Sequence, residues 1–506
     1  MFNAVEYFIK EKNIDIGNKN KVAIHYNNEK ISYSKLYSEV HKISDLLKKN
    51  NVESYERVAI LMEEKPISIY SFWGTMKMKG TPYFLNSEID NEEMKYILVK
   101  SSATVLIVSD KLWEKFKIDL NDTLVKIVFV FNNNSMQFTT INLNQSSYDK
   151  VNQLDFPNIR KDGGFIIFSS GTTGKPKGIL HSQKNMYYSY QEYSKKHLKI
   201  TEEDVFYSTS RLTYTFGFAN STYYSFGGGA SVILSEKNDV WTIAENINKY
   251  RPTVLATVPS TMQMLFKARK LLKLDLSSVR VIITAGEKFS NGFYEEWRSE
   301  FDTKIIDVFG SSEILSAIIS TSLGSHMEGG EKVGENVAKL INTETNKEII
   351  GEGTGVLEIE GNSVSNEYIG EKPNREKKFR TNDIFYRSKN DLYQYVGRSN
   401  NITKVNGMFV NVEIIERELE DIDLISDSLV IKEEEHSKLM AYIVTENLVF
   451  FTEEKAIEVM KVLKSKLAHF LCPHIIILVN SVPRNLNGKK IRKLIPEQEF
   501  LKTFKL

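Results

Sequence analysis

The chain of 506 residues holds a single cysteine, Cys472. One thiol cannot close an intrachain disulfide, so the sequence suits a reducing compartment. Nor can it build a cysteine-rich zinc site, and its apolar neighbours Phe470 and Leu471 make plain packing the expected role. Net charge is nearly absent: 66 Lys+Arg stand against 65 Asp+Glu, a formal charge of +1. That balance removes the argument for a nucleic-acid or membrane partner held by long-range attraction. No apolar run approaches the ~20 residues that span a bilayer. The start, Met1-Phe-Asn-Ala-Val-Glu-Tyr7, lacks a basic stretch followed by an apolar core. Internal repeats at short period are missing, and residues 132–134 are too short a tract for low-complexity disorder. The expectation is a cytoplasmic enzyme with no nucleic-acid and no membrane partner, in a chain too long for one compact domain.

What is present is organised around one stretch. Phe165-Ile-Ile-Phe168 reads as a buried strand. It feeds into Ser169-Ser-Gly-Thr-Thr-Gly-Lys-Pro-Lys-Gly178, with three glycines, four hydroxyls and two lysines. Glycine lets backbone approach a ligand closely, and successive N–H, hydroxyl and ammonium groups facing one small volume suit a polyphosphate. The common P-loop pattern is absent, because Gly174-Lys175 is followed by Pro176 where Ser or Thr would be needed. A flexible hairpin with solvated lysines is the plainer alternative, and Pro176 weakens it by stiffening the turn.

Along the chain, strands alternate with helices. Ser32 can cap a helix carrying Leu36, Val40, Ile43 and Leu47. Strands are expected at 58–62, 104–108 and 125–131, with helices from Pro66 and around 92–100. Ser182 is placed to cap a helix with Met186, Tyr187 and Tyr190. Then strands at 230–234, 254–258, 279–284 and 304–308 alternate with helices from Trp241 and Ser260. Such alternation predicts mainly parallel sheets covered on both faces. Ligands in such folds sit beyond the carboxyl ends of strands. This draws attention to Ala285-Gly-Glu287 and Phe309-Gly-Ser-Ser-Glu313. Past residue 324, glycine-punctuated alternating segments predict a small β subdomain. The polar stretch Gly397-Arg-Ser-Asn-Asn401 marks a boundary before roughly a hundred residues, the size of a small α+β domain. The fold class is therefore α/β: a large domain, residues 1–398, and a small C-terminal domain, residues 399–506.

Residues 169–178 resemble the phosphate-loop signature of the adenylate-forming superfamily, which includes acyl- and aryl-CoA ligases, peptide-synthetase adenylation domains and luciferases. The resemblance runs over nearly the whole chain. Gly310-Ser-Ser-Glu313 is similar to the family's fifth core motif, and Thr381-Asn-Asp383 stands where Thr-Gly-Asp is usual. Gly397-Arg398 matches the hinge-entry pair and Asn487-Gly-Lys489 the C-terminal lysine loop. The wording of residues 211–221, 284–289 and 310–315 looks most like the benzoate-CoA ligase branch. The resemblance implies ATP and Mg2+ as cofactors and a carboxylic acid as substrate. The acceptor it implies is CoA or the phosphopantetheine of a separate carrier protein. It implies that Ser169, Ser170, Gly171, Thr172, Thr173, Gly174 and Lys177 hold the pyrophosphate end of ATP. Gly286, Asp307 and Phe309 would meet the adenine side, Asp383 the ribose hydroxyls and Arg398 the ribose–phosphate side. Glu313, with Thr173, is the implied magnesium ligand, and Ser312 a phosphate contact. Lys489 would stand between the substrate carboxylate and the α-phosphate. Two anions must approach there, and fixed positive charge is what makes that possible.

Family members that accept α-amino acids carry an aspartate at the start of the aromatic segment, and residues 213–218 contain no acid. An unpaired buried ammonium would cost several kcal/mol, so an α-amino acid is not the expected substrate. By the same resemblance, Tyr214, Thr215, Phe216, Val258, Gly310 and Ser316 line a mostly apolar acid slot. A small aryl acid such as a benzoate fits it, with a medium-length aliphatic acid the alternative. Two departures from the family bear on the second half-reaction. The hinge position, usually Asp or Lys, is Asn400. The usual Pro and first Glu beyond it are Val412 and Ile414, near residues 406–407, which approach the thiol in the family. A stand-alone enzyme loading a carrier protein is the competing enzymatic reading, and a nonenzymatic nucleotide or acyl-adenylate sensor the competing class.

Overall fold

The computed structural model describes residues 2–143, 163–169, 175–287, 291–321, 329–405, 408–433, 438–445, 451–484, 490–497 and 500–505. Two sheets carry the large domain. In the larger, the parallel strands Val205–Ser208, Val254–Thr257, Val281–Ala285 and Lys304–Ser311 lie side by side. Their runs of Val, Ile and Leu are buried because helices cover both faces. The smaller sheet orders Thr81–Phe84, Arg57–Leu61, Val105–Ser109, Ile127–Asn132 and Gln137–Asn142, all parallel except the last.

Helix caps follow the local chemistry. Ser32 accepts from the Lys35 N–H at 3.2 Å and opens the helix Tyr33–Lys49, which buries Leu36, Val40, Ile43 and Leu47. Asp239 does the same for Val240–Tyr250, one residue earlier than expected. Ser182 occupies the cap position of Gln183–Ser189, but its hydroxyl bonds the Asn185 side chain instead of a backbone N–H.

The strand Gly164–Ser169 turns back into Lys177–Ser182, pairing Phe168 with Gly178 and Ser169 with Lys177. Its alternation is informative. Phe165 and Ile167 enter the core beneath the larger sheet, while Ile166 and Leu180 enter the core of the smaller one. A strand with apolar residues on both faces can wedge between two cores. The chain up to residue 169 is therefore held in both cores.

A four-stranded antiparallel sheet follows, in the order Val337–Ile341, Gly353–Glu360, Lys378–Arg387, Tyr393–Arg398. Gly397 and Arg398 end its last strand and do not lie in a turn; the turn is Ser399–Asn401. Beyond it come the hairpin Ile402–Val405/Met408–Asn411, the helix Val412–Glu420 and a four-stranded sheet packed with the helix Glu453–Lys466. The two hydrophobic clusters there draw only on residues from 405 onward. Cys472 is buried in the larger of them as a free thiol.

Candidate active site

The strand Lys304–Ser311 and the antiparallel strand Ser316–Ser320 are joined by a tight turn bearing Ser312 and Glu313. Close approach dictates glycine at 310, since a Cβ there would sit 2.4 Å from the Ser316 carbonyl oxygen. The turn is completed by Leu315 at φ +57°, a conformation unfavourable for a leucine. Its carbonyl accepts from Ser189 Oγ at 2.5 Å and Tyr223 OH at 3.0 Å, which compensates the strain. Ser312 is held twice. Its Oγ lies 2.8 Å from Thr215 Oγ1, and its carbonyl accepts from His181 Nε2 at 2.8 Å. A carbonyl can only accept, so that ring nitrogen carries the proton.

Glu313 accepts from the Tyr368 hydroxyl at 3.1 Å. Burial, and then the neighbouring Glu313 carboxylate, push the Tyr368 phenol far up, so it stays a donor. The Lys177 ammonium lies 5.6 Å from the centroid of the same ring. Lys177, Tyr368, Glu313, Ser312 and Thr215 thus form a continuous chain of contacts from the strand Lys177–Ser182 to the aromatic segment. Among the described residues no three His, Cys, Asp or Glu side chains converge on a metal position. Glu313 alone still fits magnesium, which is ordinarily bound through one or two carboxylates together with substrate phosphates and water.

A second wall comes from the antiparallel sheet. Asp383 and Arg398 are opposite in register, with Arg398 Nε 3.5 Å from Asp383 Oδ1. The Tyr395 hydroxyl donates to the same oxygen at 3.3 Å. Burial raises the Asp383 carboxyl, while Arg398 and Tyr395 draw it back down and Glu313 pushes it up again. The Phe309 ring runs nearly parallel to that of Tyr395, with centroids 6.0 Å apart at 28°. Gly286, at φ +82°, ends the neighbouring strand with open space where a Cβ would be. On the strand that carries Phe309, Asp307 accepts from Thr284 Oγ1 at 2.8 Å, and burial pushes it up to about 6.

The expected acid-slot residues fall on several elements. Thr215 and Phe216 open the helix Thr215–Ser221, and Phe216 packs against the main core. Tyr214 precedes it and is half exposed. Val258 precedes the helix Pro259–Leu272, and the buried Ser316 bonds the Ala317 carbonyl. Residues 213–218 contain no acid, yet the fold brings Glu64, just past the strand Arg57–Leu61, to Leu212 immediately before them. Its Oε1 accepts from the Leu212 N–H at 2.6 Å, and burial pushes its carboxyl up to about 7. Glu88 pairs with Arg211 at 2.6 Å. Nothing in the local sequence pointed to Glu64, Tyr368, Tyr395 or His181, since each acts across a long separation. Ser169 ends its strand. Ser170, Gly171, Thr172, Thr173, Gly174 and Lys489 lie outside the described residues, as do residues 406–407 and the Asn400 side chain.

The chain is similar over its length to known proteins. It is 24% identical over 513 residues to a 4-hydroxybenzoate–CoA/benzoate–CoA ligase of Rhodopseudomonas palustris, covering 98% of this chain and 94% of that one. A benzoate–CoA ligase of Thauera aromatica is 25% identical over 433 residues, covering 83% and 81%. In fold it is similar to an anthranilate CoA ligase solved with anthranoyl-AMP, at a TM-score of 0.77 and 22% identity, covering 98% and 97%. The AMP-binding enzyme family model matches residues 15–369. With a large α/β part, a small C-terminal part and this match over most of its length, the chain belongs to the AMP-binding enzyme family.

Proposed function

We propose that this protein is an aryl-acid–CoA ligase that works through an acyl-adenylate. The observation that supports this is the 2.8 Å contact between Thr215 and Ser312, which joins the aromatic segment to the turn bearing Ser312 and Glu313. The aryl-CoA ligase relatives, aligned over nearly the whole chain, support the substrate class and the acceptor.

In the first step an oxygen of the acid forms a bond to the α-phosphorus of ATP, and the bond to the β-phosphate oxygen breaks, releasing pyrophosphate. Lys489 sits between the two anions, and Ser312 and Lys177 hold phosphate oxygens with Ser169 and the loop 170–174. Glu313 and Thr173 would hold Mg2+, whose charge offsets that of the phosphates. Asp383 accepts from the ribose hydroxyls and Arg398 flanks them. Phe309, Gly286 and Asp307 form the adenine side, while Thr215, Phe216, Val258, Gly310 and Ser316 receive the acid, with Tyr214 at the exposed edge. In the second step the CoA sulfur forms a bond to the acyl carbon and AMP leaves. Residues 399–506 rotate about Asn400 between the two steps. A cytoplasmic setting supplies the ATP and CoA that this chemistry consumes.

The test is ATP-dependent pyrophosphate release over aryl, aliphatic and amino acids, each with and without CoA. Continuous release with benzoate or a substituted benzoate only when CoA is present, with an acyl-CoA accumulating, is the expected result. A single stoichiometric burst that CoA does not relieve would assign the acyl group to a carrier protein. Turnover of aliphatic acids alone, or none at all, would overturn the aryl assignment.

A further inference from the structure

The turn that bears Ser312 and Glu313 is held through its carbonyls. The Ser311 carbonyl accepts from the Leu315 N–H at 3.0 Å, and the Glu313 carbonyl from the Ser365 N–H at 2.7 Å. His181 takes the Ser312 carbonyl. Leu315 stands outside the strand ladder, which opens at Ser316 opposite Ser311, and its carbonyl is met by side chains instead. Leu315 is fully buried in the main core, so this acceptor cannot turn to water.

Two buried hydroxyls supply the donors. Ser189, at the end of the helix Gln183–Ser189, donates through Oγ at 2.5 Å. Tyr223 opens the helix Tyr223–Gly227 and donates through its phenol at 3.0 Å. A carbonyl only accepts, so the single Ser189 hydroxyl proton lies on Leu315. The 2.8 Å contact between Ser189 Oγ and the Tyr224 hydroxyl therefore has Tyr224 donating, and its proton does not serve the carbonyl 3.5 Å away. Burial raises both phenols, that of Tyr223 far up, so both stay protonated donors. The relay from Tyr224 through Ser189 to Leu315 runs in one direction, and each bond polarises the next.

Leu315 sits in the left-handed region at φ +57°, which a leucine keeps only where its surroundings over-determine it. Without the two donors its carbonyl is a buried, unsatisfied acceptor, and the peptide after it must rotate to find another partner. In so short a turn that rotation displaces Glu313. We propose that Ser189 and Tyr223 are positioning residues for Glu313: their hydroxyls clamp the Leu315 carbonyl and keep the turn in the arrangement that presents Glu313 to magnesium. This rests on the reading of Glu313 as the magnesium ligand given above. The acyl-adenylate has already lost the phosphates whose charge the metal offsets, so acyl transfer is spared.

The experiment compares wild type, Ser189→Ala, Tyr223→Phe, the double variant and Glu313→Gln in the full-length protein. Ser189→Ala and Tyr223→Phe each remove a single oxygen from a packed side chain. Calorimetry of ATP binding at rising Mg2+ gives the Mg2+ midpoint without turnover. Pyrophosphate exchange and acyl transfer from supplied acyl-adenylate report the two half-reactions, and thermal melting controls for folding. Because either donor alone still satisfies the carbonyl, each single variant is expected to raise the midpoint about two- to threefold. The double variant is expected to raise it by ~10-fold or more, with exchange falling in parallel and acyl transfer within about twofold of wild type. A merely structural role would lower the melting temperature and the active fraction at every Mg2+ level and leave the midpoint in place; that result overturns the proposal. If the double variant does not fold, the single variants decide, and a wild-type midpoint in both overturns it. Glu313→Gln is expected to raise the midpoint at least as far as the double variant. If it does not, the reading of Glu313 fails and the proposal with it; if it does while the clamp variants do not, only the positioning role fails.

Discussion

Glu64 offers a sharp test of how burial controls a carboxyl beside the aromatic segment. Its carboxyl, pushed by burial from an ordinary 4.5 up to about 7, accepts the Leu212 N–H just before the aromatic segment. A folded-state value above the unfolded one means that the folded protein binds the extra proton between those two values. The associated stability is full below pH 4.5 and is lost as pH rises through 7. At about 1.4 kcal/mol per unit, the ionised folded state bears roughly 3 kcal/mol at alkaline pH, most of which develops between pH 5 and pH 8. Glu64→Gln keeps the acceptor oxygen for Leu212 and cannot ionise. Its stability relative to wild type should therefore improve by roughly 2–3 kcal/mol on going from pH 5 to pH 8. Denaturant unfolding followed by tryptophan fluorescence reads this cleanly, because all 4 tryptophans, Trp73, Trp113, Trp241 and Trp297, precede residue 398. Parallel pH profiles for the two proteins would refute the reasoning and show that water or a cation reaches this carboxylate.

Three further outcomes are expected. Lys489→Ala should lower adenylation by ~10²–10³-fold while ATP binding and the second half-reaction persist, measured as pyrophosphate exchange against acyl transfer from supplied adenylate. Asp383→Asn should weaken ATP binding by about tenfold or more in calorimetry, since it gives up a charged acceptor; an unchanged Kd would remove Asp383 from ribose recognition. Gly310→Ala drives a Cβ to 2.4 Å from the Ser316 carbonyl. It should cost ~1–3 kcal/mol of stability and raise KM for the acid more than KM for ATP, read from melting curves and initial rates.

Much of the fold was legible because it rests on short-range rules. The 3.6-residue spacing of Leu36, Val40, Ile43 and Leu47 places them on one face, and that face is buried. The runs at Val254–Thr257 and Val281–Ala285 could only be strands covered on both sides, and they are. Motif order along the chain pointed to the family in the same way, without any contact being known. The close approach at Gly310 also follows from a local need for space.

Other features had no local signature. Glu64 meets Leu212 across 148 residues, and Arg492 meets Asn401 across 91. Tyr368 and Glu313 are partners only because the connection after Gly353–Glu360, bridged at Tyr368 to Ile179, runs past the turn that bears Glu313. Tyr395 faces Phe309 and Asp383 through the register of one strand pair. Spacing along the chain decides which residues share a face of one element; it is silent about which faces meet. That is settled by how sheets stack and strands pair, where the energy is shared among many side chains and belongs to no single segment. The sequence by itself therefore determined the elements, their order and the reactive groups of this protein. Tertiary structure alone decided which carboxylate burial would keep from ionising and which arginine would meet Asn401 from the far side of the C-terminal part.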